Sequence, residues 1–392
     1  MAERKYSRII MVCLCLILVI LIVGGRTPMP GLTNTPATTL AATTTTATGK
    51  GIVPTELNIG TSSSVSGSWY NYGIALSQVI KKYTGITSTP QLGGSAQNSK
   101  MMVAGKWYMA LGATETSYMQ TRNIPPWDDK TTGVLAPHTT VLVGPSAPWQ
   151  MLVRKDSGIK NFGDLKGKRV IYDYPGLDYY RHQMAAALAI YGLTLKDIKA
   201  MKVTSAEECA KLIIDGKADA FTLNSPVNAA FMEAFESAKM DLVGFASKED
   251  FQKALNTKEG RELQKVGYIE PGIIPAKSYK GLDHDVIVYK SGGTALCIHK
   301  DIDFDVVYKV TKAILEHPKE LADVYAPAGE FNVSNGSLWV KASLMPYHPG
   351  AIKALKEMKA WPANGDELQL KALKDSWFWK APDKWLWGKI GD

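Results

Sequence analysis

Residues 9–23 (IIMVCLCLILVILIV) form one unbroken apolar run, and the chain after about residue 55 reads quite differently. There, short apolar stretches alternate with stripes spaced three and four residues apart. Alternation predicts strands at 56–60, 151–154, 169–174, 202–204, 218–223, 241–246 and 295–299. Helical stripes run through Leu76, Val79, Ile80 and Tyr83; through Tyr180, Met184, Ala187, Leu188 and Tyr191 with a stop at Gly192; and through Ala206, Cys209, Ala210 and Ile213. A further helix starts at Pro226, and another carries Val307, Val310, Thr311 and Ile314. Strands alternating with helices imply an α/β class of mostly parallel sheets flanked by helices.

The apolar run changes the picture of where this body resides. Arg4, Lys5 and Arg8 precede it and Gly24-Gly25-Arg26 follow. A basic flank before an apolar core orients the rest of the chain away from the cytoplasm. Fifteen residues is long for a signal core and short for a span, so residues 1–25 read either as a cleaved signal or as a retained anchor. Residues 33–49 are threonine-rich and uncharged, which makes 26–54 a flexible linker. Of four cysteines, Cys13 and Cys15 fall in the apolar run. Cys209 and Cys297 remain, either as buried free thiols or as a single bridge. The formal charge of +8 is spread among acidic neighbours, as in Lys248-Glu249-Asp250, and gives no case for a nucleic-acid partner.

Catalytic signatures are missing from the sequence. Gly60-Thr-Ser-Ser-Ser64 lacks the second glycine of a nucleophile elbow, and there is no H-E-x-x-H, C-x-x-C or glycine-rich phosphate loop. Asp283-His284-Asp285 places three neighbours in different directions, so no metal or cofactor is expected. What stands out instead is a pair of polar loops running into helices. Residues 60–70 (GTSSSVSGSWY) offer successive hydroxyls at a helix start, where free N–H groups suit an anion. Gly93-Gly94-Ser95-Ala-Gln-Asn98 is the second, with Ser95 a candidate N-cap.

Five segments together resemble the TAXI class of solute-binding proteins from TRAP transporters. They are Arg154-Lys-Asp-Ser-Gly-Ile159, Asp164-Leu-Lys-Gly-Lys-Arg-Val170, Asp215-Gly-Lys-Ala-Asp-Ala-Phe221, Pro271-Gly-Ile-Ile-Pro-Ala276 and His348-Pro-Gly-Ala-Ile352. The resemblance implies a two-lobed periplasmic-binding-protein fold of type II, with 55–150 plus 294–392 in lobe 1 and 151–293 in lobe 2. It implies a monomeric, non-enzymatic receptor outside the cytoplasm, which captures a dicarboxylate or glutamate-like solute for TRAP membrane subunits. Carried onto this chain, the ligand contacts fall on Thr61, Ser62, Ser66 and Tyr70; on Gly94, Ser95 and Asn98; on Thr114, Glu115 and Thr116; and on Tyr174, Pro175, Gly176, Asp178 and Asn224.

Several positions depart from the family pattern. Serines replace most glycines of the first loop, and Glu115 stands where an anion would be repelled. That carboxylate either faces the cleft, where it would meet an ammonium, or faces away. Arg181 and Arg154 are the candidates for a carboxylate clamp. Trp69, Tyr70, Tyr72, Tyr174, Tyr179 and Tyr180 put aromatic bulk near the mouth. The Trp-rich extension 361–392 is either a tail packed on the body or a docking surface. Three other readings stay open: an ABC-type receptor, a sensor-linked receptor, and an exported enzyme using Glu115 or Asp178.

Overall fold

A computed structural model describes residues 51–65, 67–173, 179–203, 206–225, 229–266, 269–342 and 345–379. The apolar run, the Thr-rich linker, Ser66, residues 174–178 and Trp385 and Trp387 lie outside these. Among the described residues no helix is long and apolar enough to cross a membrane.

Among the described residues ten strands form the sheet framework. They are β1 (Ile59–Gly60), β2 (Pro90–Gln91), β3 (Met109–Ala113), β4 (His138–Arg154), β5 (Arg169–Asp173), β6 (Lys199–Lys202), β7 (Ala220–Asn224), β8 (Met240–Val243), β9 (Ile269–Ile274) and β10 (Val286–His299). The order is β2-β1-β3-β10-β4-β7-β5-β6, with β8 on β4 and β9 on β10. Two parallel trios, β2-β1-β3 and β6-β5-β7, sit at the ends of this path. Between them run the two long strands, antiparallel to all their neighbours.

Those two strands each serve both halves. Residues 138–146 of β4 pair with β10, and its residues 149–154 pair with β7 and β8. β10 pairs with β9 through Ser291 and with β3 and β4 from Gly293 onward. The core divides in the same place. One cluster gathers Leu57, Ile59, Leu76, Leu142, Leu296 and Ile314, and the other Trp149, Leu152, Ile171, Phe221, Phe231 and Tyr289. Trp69 packs against both. Cys209 and Cys297 are buried in different clusters, and no disulfide joins them.

The segments that carried the family resemblance turn out to be latches. Asn161 accepts from Gly163 N–H while Asp164 accepts from Asn161 N–H, a reciprocal cap of a short 3-10 turn. Arg169 and Asp219 tie L-K-G-K-R to D-G-K-A-D with bonds of 2.6 and 3.1 Å, and Arg169 also reaches Gly216 O. His348 caps the helix Pro349–Glu357, accepting at Nδ1 from Gly350 N–H at 3.2 Å. Its Nε2 lies 3.0 Å from Ile302 O, which requires the proton on Nε2. The described part of the tryptophan-rich extension packs on the body: Trp377 Nε1 donates to Ala136 O and Trp361 Nε1 to Asp366.

Candidate functional site

The carboxyl ends of β1, β3 and β7 converge on one cavity of about 630 Å³. Its wall is built from loops and helix starts, where ligands bind in open α/β sheets. Ser62, Ser63 and Gly67 come from the loop after β1, and Ser68 and Trp69 begin α1 (Ser68–Thr84). Gly93 and Gly94 lead into α2 (Ser95–Val103), which contributes Ser95, Gln97 and Lys100. Ala113, Ala147 and Trp127 close one side. Tyr180 and Asn224 come from the second half, and Gly292, Gly293 and Thr294 from β10.

Both helices begin on glycine. Gly67 and Gly94 are the N-caps, and among the described residues neither helix has a side-chain cap bond. The first-turn N–H groups therefore keep donor capacity where the helix dipole favours negative charge. Ser95 is the first helical residue and not the expected cap, because Gly94 at φ 103° already makes the turn. Among the lining residues Lys100 carries the only charged side chain, and it is exposed.

Two loops are locked together behind this wall. Gly94 N–H donates to Thr61 O at 2.8 Å and Gly93 N–H to Ser62 O at 3.0 Å. Asn98, buried, donates through Nδ2 to Thr61 O and Leu111 O at 3.1 and 3.2 Å. A Cβ on Gly93 or Gly60 would fall 2.0 or 2.4 Å from Asn98 Oδ1, so both glycines leave room for this clamp. Asn98→Ala is expected to cost about 2 kcal/mol by removing two buried side-chain hydrogen bonds. A lowered urea midpoint would show it, and an unchanged midpoint would remove the clamp.

The expected contacts divide accordingly. Ser62, Gly94, Ser95 and Asn224 line the cavity. Asn224 N–H donates to Tyr180 Oη at 2.6 Å, which orders that rim. Thr61, Asn98, Thr114, Glu115 and Thr116 are buried behind the lining. Thr61 spends its hydroxyl on Gln91 O, and Thr114 spends its own on Glu115. Tyr70 is half-buried on α1 and is not a lining residue. Tyr72 is no mouth residue, since it is buried against Tyr325 and Phe331. Neither candidate clamp arginine lines the cavity. Arg154 is held by Asp156 at 2.6 and 2.8 Å, and exposed Arg181 lies 3.6 Å from Asp173. Ser66, Tyr174, Pro175, Gly176 and Asp178 lie outside the described residues.

Glu115 faces neither cleft nor solvent. Burial pushes its carboxyl up to about 7, against stabilising bonds from its own N–H, the Thr114 hydroxyl and Gly292 N–H. Lys100, Trp127 and Gly292–Thr294 were missed by sequence reasoning. Two glycines inside a β-branched strand were the available signal, since they mark close approach of a ligand or another chain segment.

Residues 59–358 match the NMT1-like family, three-quarters of the chain. The chain belongs to that family. This NMT1-like protein is also similar to several solved structures. The periplasmic aliphatic sulphonate binding protein SsuA from Escherichia coli shares 15% identity over 84% of this chain and 88% of that one, with a TM-score of 0.42. The alkanesulfonate-binding protein SsuA from Xanthomonas axonopodis pv. citri, bound to MOPS, gives 15%, 83%, 98% and 0.42. The amino acid ABC transporter substrate-binding protein AbpA from Streptococcus pneumoniae, bound to L-arginine, gives 13%, 70%, 94% and 0.42. Likenesses this distant assign neither ligand nor transporter.

Proposed function

We propose that this NMT1-like protein is an extracytoplasmic solute-binding receptor of a TRAP transporter, of the TAXI class, and binds a small organic anion without transforming it. The carrying observation is the cavity itself: it is lined from both halves of the fold, holds one cationic side chain and opens onto two glycine-capped helix starts. Trp69 and Tyr180 add aromatic surface suited to an apolar part of the solute. In this reading 55–150 plus 294–392 form lobe 1 and 151–293 form lobe 2. β4 and β10 are the two crossings, and the lobes close over the solute by bending there. Residues 9–23 either direct export or hold the receptor beside its membrane subunits, with the Thr-rich linker as tether.

A thermal-shift screen of dicarboxylates, amino acids and aromatic acids tests the receptor reading. With free solute at about 100 times its dissociation constant the gain should be about 2.7 kcal/mol. Lys100→Ala should weaken the best anion about tenfold, as loss of a charge-assisted bond does. No shift with any organic anion would sink the proposal.

A further inference from the structure

Glu115 sits at the start of α3 (Thr114–Arg122), directly behind the cavity wall. A Cβ on Gly292 would lie 2.4 Å from Glu115 Oε1 and 1.9 Å from Thr114 Oγ1, so the carboxyl occupies the space that glycine leaves. Gly292 and Ala113, the residues on either side of this contact, both line the cavity. Glu115 is 1% exposed, and its Oε1 has no hydrogen-bond partner among the described residues. An ionised carboxylate with an unsatisfied oxygen in such a place is costly.

Among the described elements packed against α3, none brings a charge that perturbs Glu115. β3 has no titratable side chain. On β10, Lys290 is 3.8 Å from Glu270, Cys297 contacts Ser117, and His299 is held neutral by burial. On β4, His138 is likewise kept neutral and Arg154 is bound to Asp156. The helix 258–266 carries Lys258, Glu259, Arg261, Glu262 and Lys265. Among these described groups none perturbs Glu115; burial does, and the opposing contributions are local hydrogen bonds.

We propose that Glu115 makes anion capture a proton-linked event: its carboxyl, seated behind the Gly292 wall, is neutral while an anion occupies the cavity and returns its proton to water as the anion leaves. Resting on the anion-receptor reading, this adds the linkage. An anion in the cavity disfavours a second negative charge behind a thin, low-dielectric wall, and by reciprocity the proton favours the anion. The carboxyl's displacement to about 7 puts the exchange between pH 6 and 8.

L-glutamate, 2-oxoglutarate and phenylacetate keep their carboxylates ionised across that range. Each would be titrated calorimetrically into the full chain at pH 6 and pH 8, in buffers of different ionisation enthalpy. Whichever binds should bind about fivefold more tightly at pH 6, the low end of typical coupling, with net proton uptake. The isosteric Glu115→Gln should flatten the dependence and abolish the uptake. Carbon-13 NMR of the ligand-free side chain should place its titration near 7. Equal affinity at both pH values, a dependence that survives Glu115→Gln, or an ordinary carboxyl titration would overturn the linkage alone. Failure of all three probes at both pH values would overturn the anion-receptor reading and the linkage with it.

Discussion

Taking the protein from pH 7 to pH 4 is expected to unfold it, and three buried imidazoles are the cause. His138 is held down to about 4 by burial and by His299, and His348 to about 3 by burial against its bond to Ile302 O. His299 is lowered by burial, with Asp301 opposing. Each folded value lies below the unfolded 6.5, so the unfolded chain binds more protons as pH falls. Their stability is present above 6.5 and is lost as pH drops toward the folded values. Each contributes about 3 kcal/mol to order of magnitude, together comparable with the 5–15 kcal/mol of a typical fold. His348 shows the geometry of the loss. Protonating Nδ1 destroys its acceptance from Gly350 N–H, and with it the cap of the helix Pro349–Glu357.

Glu115 works in the opposite direction. Its folded value near 7 exceeds the unfolded 4.5, so its contribution is fully present below 4.5 and is lost as pH rises through 7. Melting temperature should therefore change little between pH 7 and 6 and fall steeply below about pH 5. Glu115→Gln should fall from the start, and His138→Gln should fall less. A melting temperature that stays level down to pH 4 would refute the imidazole account.

The parts of the fold legible in the sequence are those whose residues report on local rules. The Tyr180–Tyr191 stripe and its Gly192 stop describe a helix observed at Tyr179–Ala189, because an amphipathic face and its terminator are written within one segment. The stripe 307–314 likewise lies within Phe304–Glu316. β4 and β10 were read only at their ends. Gly144, Pro145, Pro148, Gly292 and Gly293 interrupt the alternation where the strands cross between the halves, and strand pairing is a tertiary fact. Loops 60–70 and 93–98 were found because their polarity is local. Whether a given side chain lines the cavity or braces it was not, since Asn98 and Ser95 differ only in which way their helix turns them. Lys100 belongs to the same helix, one turn beyond Ala96, and became a site residue only once that helix was placed.

Gly292→Ala should be the most damaging single methyl at the site. The new Cβ would stand 1.9 Å from Thr114 Oγ1, 2.4 Å from Glu115 Oε1 and 2.8 Å from Glu115 Cδ. None of those atoms is the free end of an exposed chain; all belong to buried residues at the start of α3. The strand, the helix or both must shift, and overpacking of this kind costs about 1–3 kcal/mol. Because Gly292, Gly293 and Ala113 are themselves lining residues, the shift falls on the cavity wall. Binding of any anion that stabilises the parent protein should drop at least tenfold, on the scale of effects from ångström-level misplacement. Gly281→Ala provides the contrast. At φ +77° and with no atom of the described residues within 4 Å of its Cβ, it should cost about 1 kcal/mol of backbone strain, while solute affinity stays the same. Denaturant midpoints and calorimetric titrations on both variants separate the two outcomes. Undiminished binding in Gly292→Ala would mean that the wall behind Gly292 is not part of the site.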